Sequence, residues 1–302
     1  MIARRAAADW RLTAAGALLV AALLMPPLPW PRSNYDFLAV FDISQSMGVT
    51  DYRQQGRPVA RLDYARRALA AALTELPCGS RLGLAAFTGY RSLMLLAPVE
   101  VCEHYGDLLA TLAQIDERMR WAEASEITKG LYWALRAARD IGGEPELLFF
   151  TDGHESPPLD GPPPALFGDL RKGQIHGLVI GTGGNLPRPI PKRDSAGRDR
   201  GFWLPDEVAQ GRGPDRRNEH LSARREPHLQ ALAFRTGLDY LRLEDFHGLS
   251  AAMQAAPRVR RREVPTDLSW VPLALALALL CAAPLGALIG NRGVRGSHRP
   301  HP

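Results

Sequence analysis

The chain has 302 residues, 46% of them hydrophobic, and a formal net charge of +5, enough to build a full core in one large domain or two small ones. That positive balance does not make a nucleic-acid binder. The arginines are scattered, and no basic surface interleaved with aromatics and no nucleic-acid motif occurs.

Residues 1–11 carry Arg4, Arg5 and Arg11 against Asp9, and residues 12–30 then hold no charge. A stretch of about 19 residues suffices for a transmembrane anchor or a signal peptide. No small-x-small cleavage site precedes Pro26-Pro27-Leu28-Pro29-Trp30, which favours an uncleaved anchor. Residues 268–290 are again uncharged and rich in Leu and Ala, with Trp270 near the border, and read as a second transmembrane helix. Two spans place the basic ends, 1–11 and 291–302, in the cytoplasm and everything between them in the periplasm of an inner-membrane protein. Arg258, Arg260, Arg261 and Arg262 run against that rule, and lipid headgroups or a partner would have to meet them.

Between the two segments, Phe37-Leu38-Ala39-Val40-Phe41 reads as a strand buried on both faces. It ends in Asp42, Ser44 and Ser46, where open α/β sheets place their crevice. Three such oxygens suit a hard divalent cation, Mg2+ or Ca2+. Residues 61–76 follow as a helix, with Leu62, Ala65, Leu69 and Leu73 at helical spacing and Pro77 as its stop. Strands are expected at 81–87 and 92–99, and helices at 103–119 and 128–141. Ser125 and Thr128 open the second of these helices. Glu146-Leu147-Leu148-Phe149-Phe150-Thr151 repeats the apolar strand and ends in Asp152 and Gly153. A strand at 174–181, a helix at 221–236 and a strand at 238–243 complete one domain, 34–256, with a doubly wound, mainly parallel sheet. Residues 185–220, rich in Pro, Gly, Arg and Asp, interrupt it. Following a strand's C-terminal end, this insertion should rise on the face of Asp42 and Asp152, either as a partner-binding element or as a disordered excursion.

Catalytic motifs are missing. Gly181-Thr182-Gly183-Gly184 lacks the Lys-Ser/Thr of a phosphate-binding loop. An Asp-nucleophile phosphatase needs a second carboxylate where Ser44 stands, and no G-x-S-x-G elbow occurs. His154 and Glu155 suit the rim of the site and a partner better than hydrolysis, and no histidine spacing suits zinc.

Asp42-Ile43-Ser44-Gln45-Ser46, the Ser125–Thr128 cluster and Asp152 together resemble the metal-ion-dependent adhesion site of the von Willebrand factor A (vWA) family. The resemblance implies a vWA sheet with one antiparallel edge strand. It also implies a divalent cation bound directly by Ser44, Ser46 and Ser125, with Thr128 as rival to Ser125, while Asp42 and Asp152 act mostly through water. A Glu or Asp from a protein partner would complete the shell, making the chain an adhesion module and not an enzyme. With Cys281 in the apolar segment, Cys78 and Cys102 remain in the domain. They flank the edge hairpin expected of the family and are a disulfide candidate in an oxidising compartment.

Asp42-Ile43-Ser44-Gln45-Ser46-Met47, Leu76-Pro77-Cys78-Gly79-Ser80-Arg81, Pro98-Val99-Glu100-Val101-Cys102, Thr151-Asp152-Gly153-His154-Glu155-Ser156-Pro157-Pro158 and Pro189-Ile190-Pro191-Lys192 carry a closer resemblance. It is to membrane-anchored vWA proteins of the bacterial methanol-oxidation cluster. That implies an accessory role in maturing periplasmic, calcium- and PQQ-dependent methanol dehydrogenase, with the dehydrogenase or its assembly factors as partner and calcium insertion as the task. The alternatives are a general inner-membrane vWA scaffold of the aerotolerance type working with a MoxR-like ATPase, and a metal-dependent hydrolase using His154 and Glu155.

Overall fold

The structure, a computed structural model, describes residues 2–159, 161, 165, 168–194, 196–211, 218–255 and 260–290. The expected tail 291–302 lies outside them. The chain forms two compact units, Ser33–Arg261 and, from the two ends, Met1–Arg32 with Arg262–Pro302.

Helix α1 (Ile2–Leu24) and strand β1 (Leu28–Asn34) open the chain. Strand β2 (Asp36–Asp42) begins the large unit, followed by a hairpin of β3 (Tyr52–Gln54) and β4 (Arg57–Val59), then α2 (Arg61–Leu73), β5 (Arg81–Thr88) and β6 (Arg91–Glu100). Helices α3 (Tyr105–Gln114) and α4 (Ile127–Asp140) lead to β7 (Glu146–Thr151) and β8 (Gly177–Gly181). Four short strands come next: β9 (Arg188–Pro189), β10 (Pro191–Arg193), β11 (Asp199–Phe202) and β12 (Leu221–Ser222). Helix α5 (Glu226–Thr236), β13 (Asp239–Arg242) and α6 (Phe246–Gln254) complete the unit, and β14 (Arg260–Thr266) and α7 (Trp270–Gly290) follow.

The main sheet has the order β13-β8-β7-β2-β5-β6 and is parallel except for β6, which runs antiparallel at the edge. β2 and β7 are apolar nearly throughout because both faces are covered, and every residue of either strand is buried. Leu62, Ala65 and Leu69 of α2 pack on one face with residues of α3 and α6, and α4 and α5 cover the other. Cys78 lies in the turn before β5 and Cys102 just after β6. Pairing of Arg81 with Glu100 draws them together, and they form a disulfide with Cα atoms 5.3 Å apart.

The sequence reading has no counterpart for the β3–β4 hairpin or α6, places the start of β8 three residues early, and is corrected at four further places. The helix expected at 103–119 stops at Gln114, and Asp116 caps a separate 3-10 turn, Glu117–Met119, by accepting from the Arg118 amide. The helix expected at 221–236 begins only at Glu226, because Leu221 and Ser222 pair with β9. Residues 185–220 are not structureless: β9 pairs with β12 and β10 with β11, making a small flap of two ribbons. Lastly, the two transmembrane helices are corrected, since among the described residues no helix is long and apolar enough to cross a membrane. α1 includes Arg4, Arg5, Asp9 and Arg11, so its uncharged part starts at Leu12, and the helix ends at Leu24 ahead of Pro26 and Pro27. That part rises about 20 Å, short of the roughly 30 Å hydrocarbon core.

Candidate functional site

The parallel register sets β2 and β7 side by side, with Phe41 opposite Phe150 and their rings stacked at 4.6 Å. One position further, Thr151 Oγ1 donates to Asp42 Oδ2 at 2.7 Å, and the Ser44 amide donates to Oδ1 at 2.9 Å. Asp42 is wholly buried. Burial, with the neighbouring charge of Asp152 adding to it, pushes its carboxyl up to about 7. Just beyond the strand, Ser44 Oγ and Ser46 Oγ lie 3.2 Å apart.

Asp152 is equally buried but has the opposite balance. Burial is the largest single influence and works to raise its pKa, yet the Arg61 guanidinium, His154 and the hydrogen bonds from the His154 amide and Ser222 together hold it below the ordinary carboxylate range. Arg61 Nη1 donates to Asp152 Oδ2 at 2.6 Å, Ser222 Oγ donates to the same oxygen at 2.7 Å, and the His154 amide donates to Oδ1 at 3.0 Å. Arg61 has no exposed surface and also pairs with Asp51, at 2.7 Å from Nη2 to Oδ2. The Asp152 charge is therefore neutralised from below by an arginine.

Ser125 sits on a segment pinned by paired amides. Its N–H donates to Ser156 O at 2.7 Å, and the Ser156 N–H returns to Ser125 O at 2.8 Å. Its hydroxyl is buried and, among the described residues, has no hydrogen-bond partner. Thr128 is differently engaged: its amide and hydroxyl both donate to Glu155 Oε1, at 3.0 and 2.8 Å. Glu155 thus holds the first turn of α4, a favourable place for an anion, and its Oε1 also lies 3.1 Å from His228 Nε2.

A cavity of about 280 Å³ brings these residues together. Ser44, Ser46, Ser125 and His154 line it from the sheet edge, and Ile190, Trp203, Glu207 and Glu219 line it from the flap. His154 is almost fully buried, its Nδ1 has no partner among the described residues, and burial lowers its pKa. Glu155 and Thr128 do not line this cavity. Gln45, between the two serines, fastens the flap: its Oε1 accepts from the Arg193 amide at 3.1 Å and from Trp203 Nε1 at 2.9 Å. Its Nε2 donates to Glu123 Oε2 at 2.6 Å. Three hydroxyls above two buried carboxylates are a donor set for a hard cation, and the unpartnered Ser125 Oγ fits that use.

Arg61, Asp51, Thr151, Ser222 and Gln45 escape the sequence reading. Arg61 could be suspected only from its place on the strand-facing side of α2, one residue before Leu62.

A family model described as von Willebrand factor type A domain matches residues 37–154. The curated proteins contain no match to the chain. Among solved structures, an aerotolerance-related membrane protein from Bacteroides fragilis superposes with a TM-score of 0.50 at 17% identity, covering 74% of this chain and 98% of its own. The conserved hypothetical protein BatB from Bacteroides thetaiotaomicron gives 0.49 at 17% identity, with the same coverage. The first of these likenesses is one of fold. Residues 37–154 are thus similar to the von Willebrand factor type A domain, and the sheet and helices that continue around them share the fold of the Bacteroides fragilis protein.

Proposed function

We propose that the domain binds a divalent cation, Mg2+ or Ca2+, through Ser44, Ser46 and Ser125, with Asp42 and Asp152 fixing the waters around it. An acidic residue of a protein partner is then taken up on the cation. The observation that carries this reading is the Ser125 hydroxyl, buried and unpartnered among the described residues, lining one cavity with Ser44 and Ser46. A buried hydroxyl without a partner is destabilising unless something fills the role. Adhesion is favoured over hydrolysis because Glu155, the would-be partner of His154 in catalysis, is committed to Thr128 and His228.

The disulfide favours an oxidising compartment, and we place the domain in the periplasm, beside the inner membrane. The stretches that resemble vWA proteins of the methanol-oxidation cluster support the narrower role of accessory factor for a periplasmic metalloenzyme, methanol dehydrogenase being the instance and calcium its metal. A general scaffold of the aerotolerance type, served by a MoxR-like ATPase, is the second reading. The fold likeness to the Bacteroides fragilis protein favours it.

Calorimetric titration of the full chain with Mg2+ and Ca2+ tests the site, comparing wild type with Ser44→Ala and Ser125→Ala. Each variant is expected to bind at least about tenfold more weakly, and unchanged affinity in both would refute the assignment. Capture of purified methanol dehydrogenase by wild type, abolished by EDTA, separates the maturation role from the scaffold role.

A further inference from the structure

Building on the cation reading above, the geometry points to Glu219, carried on the chain's own flap, as the acid that completes the cation's shell. The site is then capped from within, and a partner's acid must displace that cap.

The flap faces the cavity floor and is fastened on both sides of it. At one side Gln45, inside the Asp42–Ser46 motif, accepts from the Arg193 amide and Trp203 Nε1. At the other, Ser222 donates its hydroxyl to Asp152 Oδ2 at 2.7 Å and accepts from Arg61 Nη1 at 2.6 Å. Glu219 lies three residues before Ser222, and its own amide donates to Gln210 Oε1 at 3.2 Å. This short segment is therefore tied to the carboxylate beneath the floor. The Glu219 side chain is 10% exposed, and its Oε2 lies 3.8 Å from His154 Nε2, two residues past Asp152.

Three acids line the cavity, and two of them have other work. Glu123 accepts from Gln45 Nε2 at 2.6 Å and faces Arg120 at 3.5 Å. Glu207 accepts from Lys192 Nζ at 2.5 Å and from the Leu204 amide at 3.1 Å. Among the described residues the hydrogen-bond donor to Glu219 is Arg225 Nη2, at 3.1 Å, from a side chain 43% exposed. An exposed arginine can swing away at little cost, since such pairs contribute little. Glu219 can then turn to a cation bound at the unpartnered Ser125 hydroxyl, which lines the same cavity. Carboxylates are strong ligands for Mg2+ and Ca2+. An acid tethered in the same chain competes at a high effective concentration against free ones.

The test titrates the full chain with Mn2+, read by the loss of its free spin signal, in wild type, Glu219→Gln, Glu123→Gln and Ser125→Ala. Thermal unfolding in EDTA checks that each variant is folded. Glu219→Gln is expected to bind Mn2+ at least about tenfold more weakly, with Glu123→Gln close to wild type. Acetate should tighten Mn2+ binding to Glu219→Gln while leaving wild type unchanged. Equal affinity of Glu219→Gln and wild type overturns the proposal, as does an equal loss in Glu123→Gln, which would mean general negative charge. If wild type takes up no Mn2+, or Ser125→Ala binds it as wild type does, the cation reading itself falls and this inference falls with it.

Discussion

Arg61 is the residue on which the site's electrostatics turn. Its fully buried guanidinium reaches Asp152, Asp51 and Ser222. Replacing a whole buried ion pair by apolar groups is often neutral, but removing one partner strands the other charge at about 3–5 kcal/mol. Arg61→Met should therefore lower the unfolding free energy by about that much in urea titrations, and a loss under about 1 kcal/mol would show that Asp51 and Asp152 find other partners. In the surviving folded fraction, Asp152 is no longer neutralised, so cation affinity should rise, a direction calorimetry can read. Asp42, Ser44, Ser46, Ser125 and Asp152 are legible in sequence because each stands at the end of an apolar strand or the start of a helix. Arg61 is not, because its acids lie 10 and 91 positions away. It also explains the glycine turn after β8: Gly183 has φ +89°, and a side chain there would collide with the guanidinium. That turn makes room for an arginine and does not cradle a phosphate.

At the scale of elements, the strands of the main sheet are readable because burial on both faces leaves them continuously apolar. The flap is not, since strands of two to four residues carrying Pro189 and Pro191 have no period to detect. It is held by tertiary contacts, Gln45 at one side and Ser222 with Asp152 and Arg61 at the other. The two hydrogen bonds that Gln45 makes to the flap, at about 1 kcal/mol each, predict that Gln45→Ala speeds amide exchange in residues 188–194 and 196–203 by about tenfold or more. Exchange in β2 and β7 should be unaffected, and a uniform acceleration would mean global destabilisation instead. The uncharged run 12–30 illustrates the converse error, because the prolines after Leu24 end the helix while the apolar sequence continues. The edge hairpin is closed by the Cys78–Cys102 bond across a separation of 24 residues. Chain-entropy arguments for such a loop give about 3 kcal/mol. Cys78→Ala/Cys102→Ala should lower stability by roughly that amount, measured beside wild type with and without reductant. The double variant should be insensitive to the reductant.

For the molecule as a whole, the site links folding to protons and, on the proposed reading, to a cation. In chelator, Asp42 releases its proton at about 7 when folded, against 3.8 as its ordinary value. Between those two values the folded state holds a proton that the unfolded state has lost, so stability falls as pH rises from about 4 to about 7 and levels off above. Asp152 acts in the other sense. Its pKa is depressed when folded, so its contribution is present above the ordinary carboxylate value and is lost as pH falls through the depressed one. Cation-free protein is therefore most stable on the acidic side of neutrality. On the proposed cation reading, a divalent cation takes over the role of the Asp42 proton, so its binding is expected to be weak at pH 5 and strong at pH 8. A hundredfold excess over Kd should add about 2.7 kcal/mol of stability. Thermal unfolding at both pH values, in EDTA and in Mg2+ or Ca2+, measures all four states. In EDTA the midpoint should be lower at pH 8 than at pH 5, and the cation should reverse that order. Equal stabilisation by cation at both values would place the ion away from Asp42.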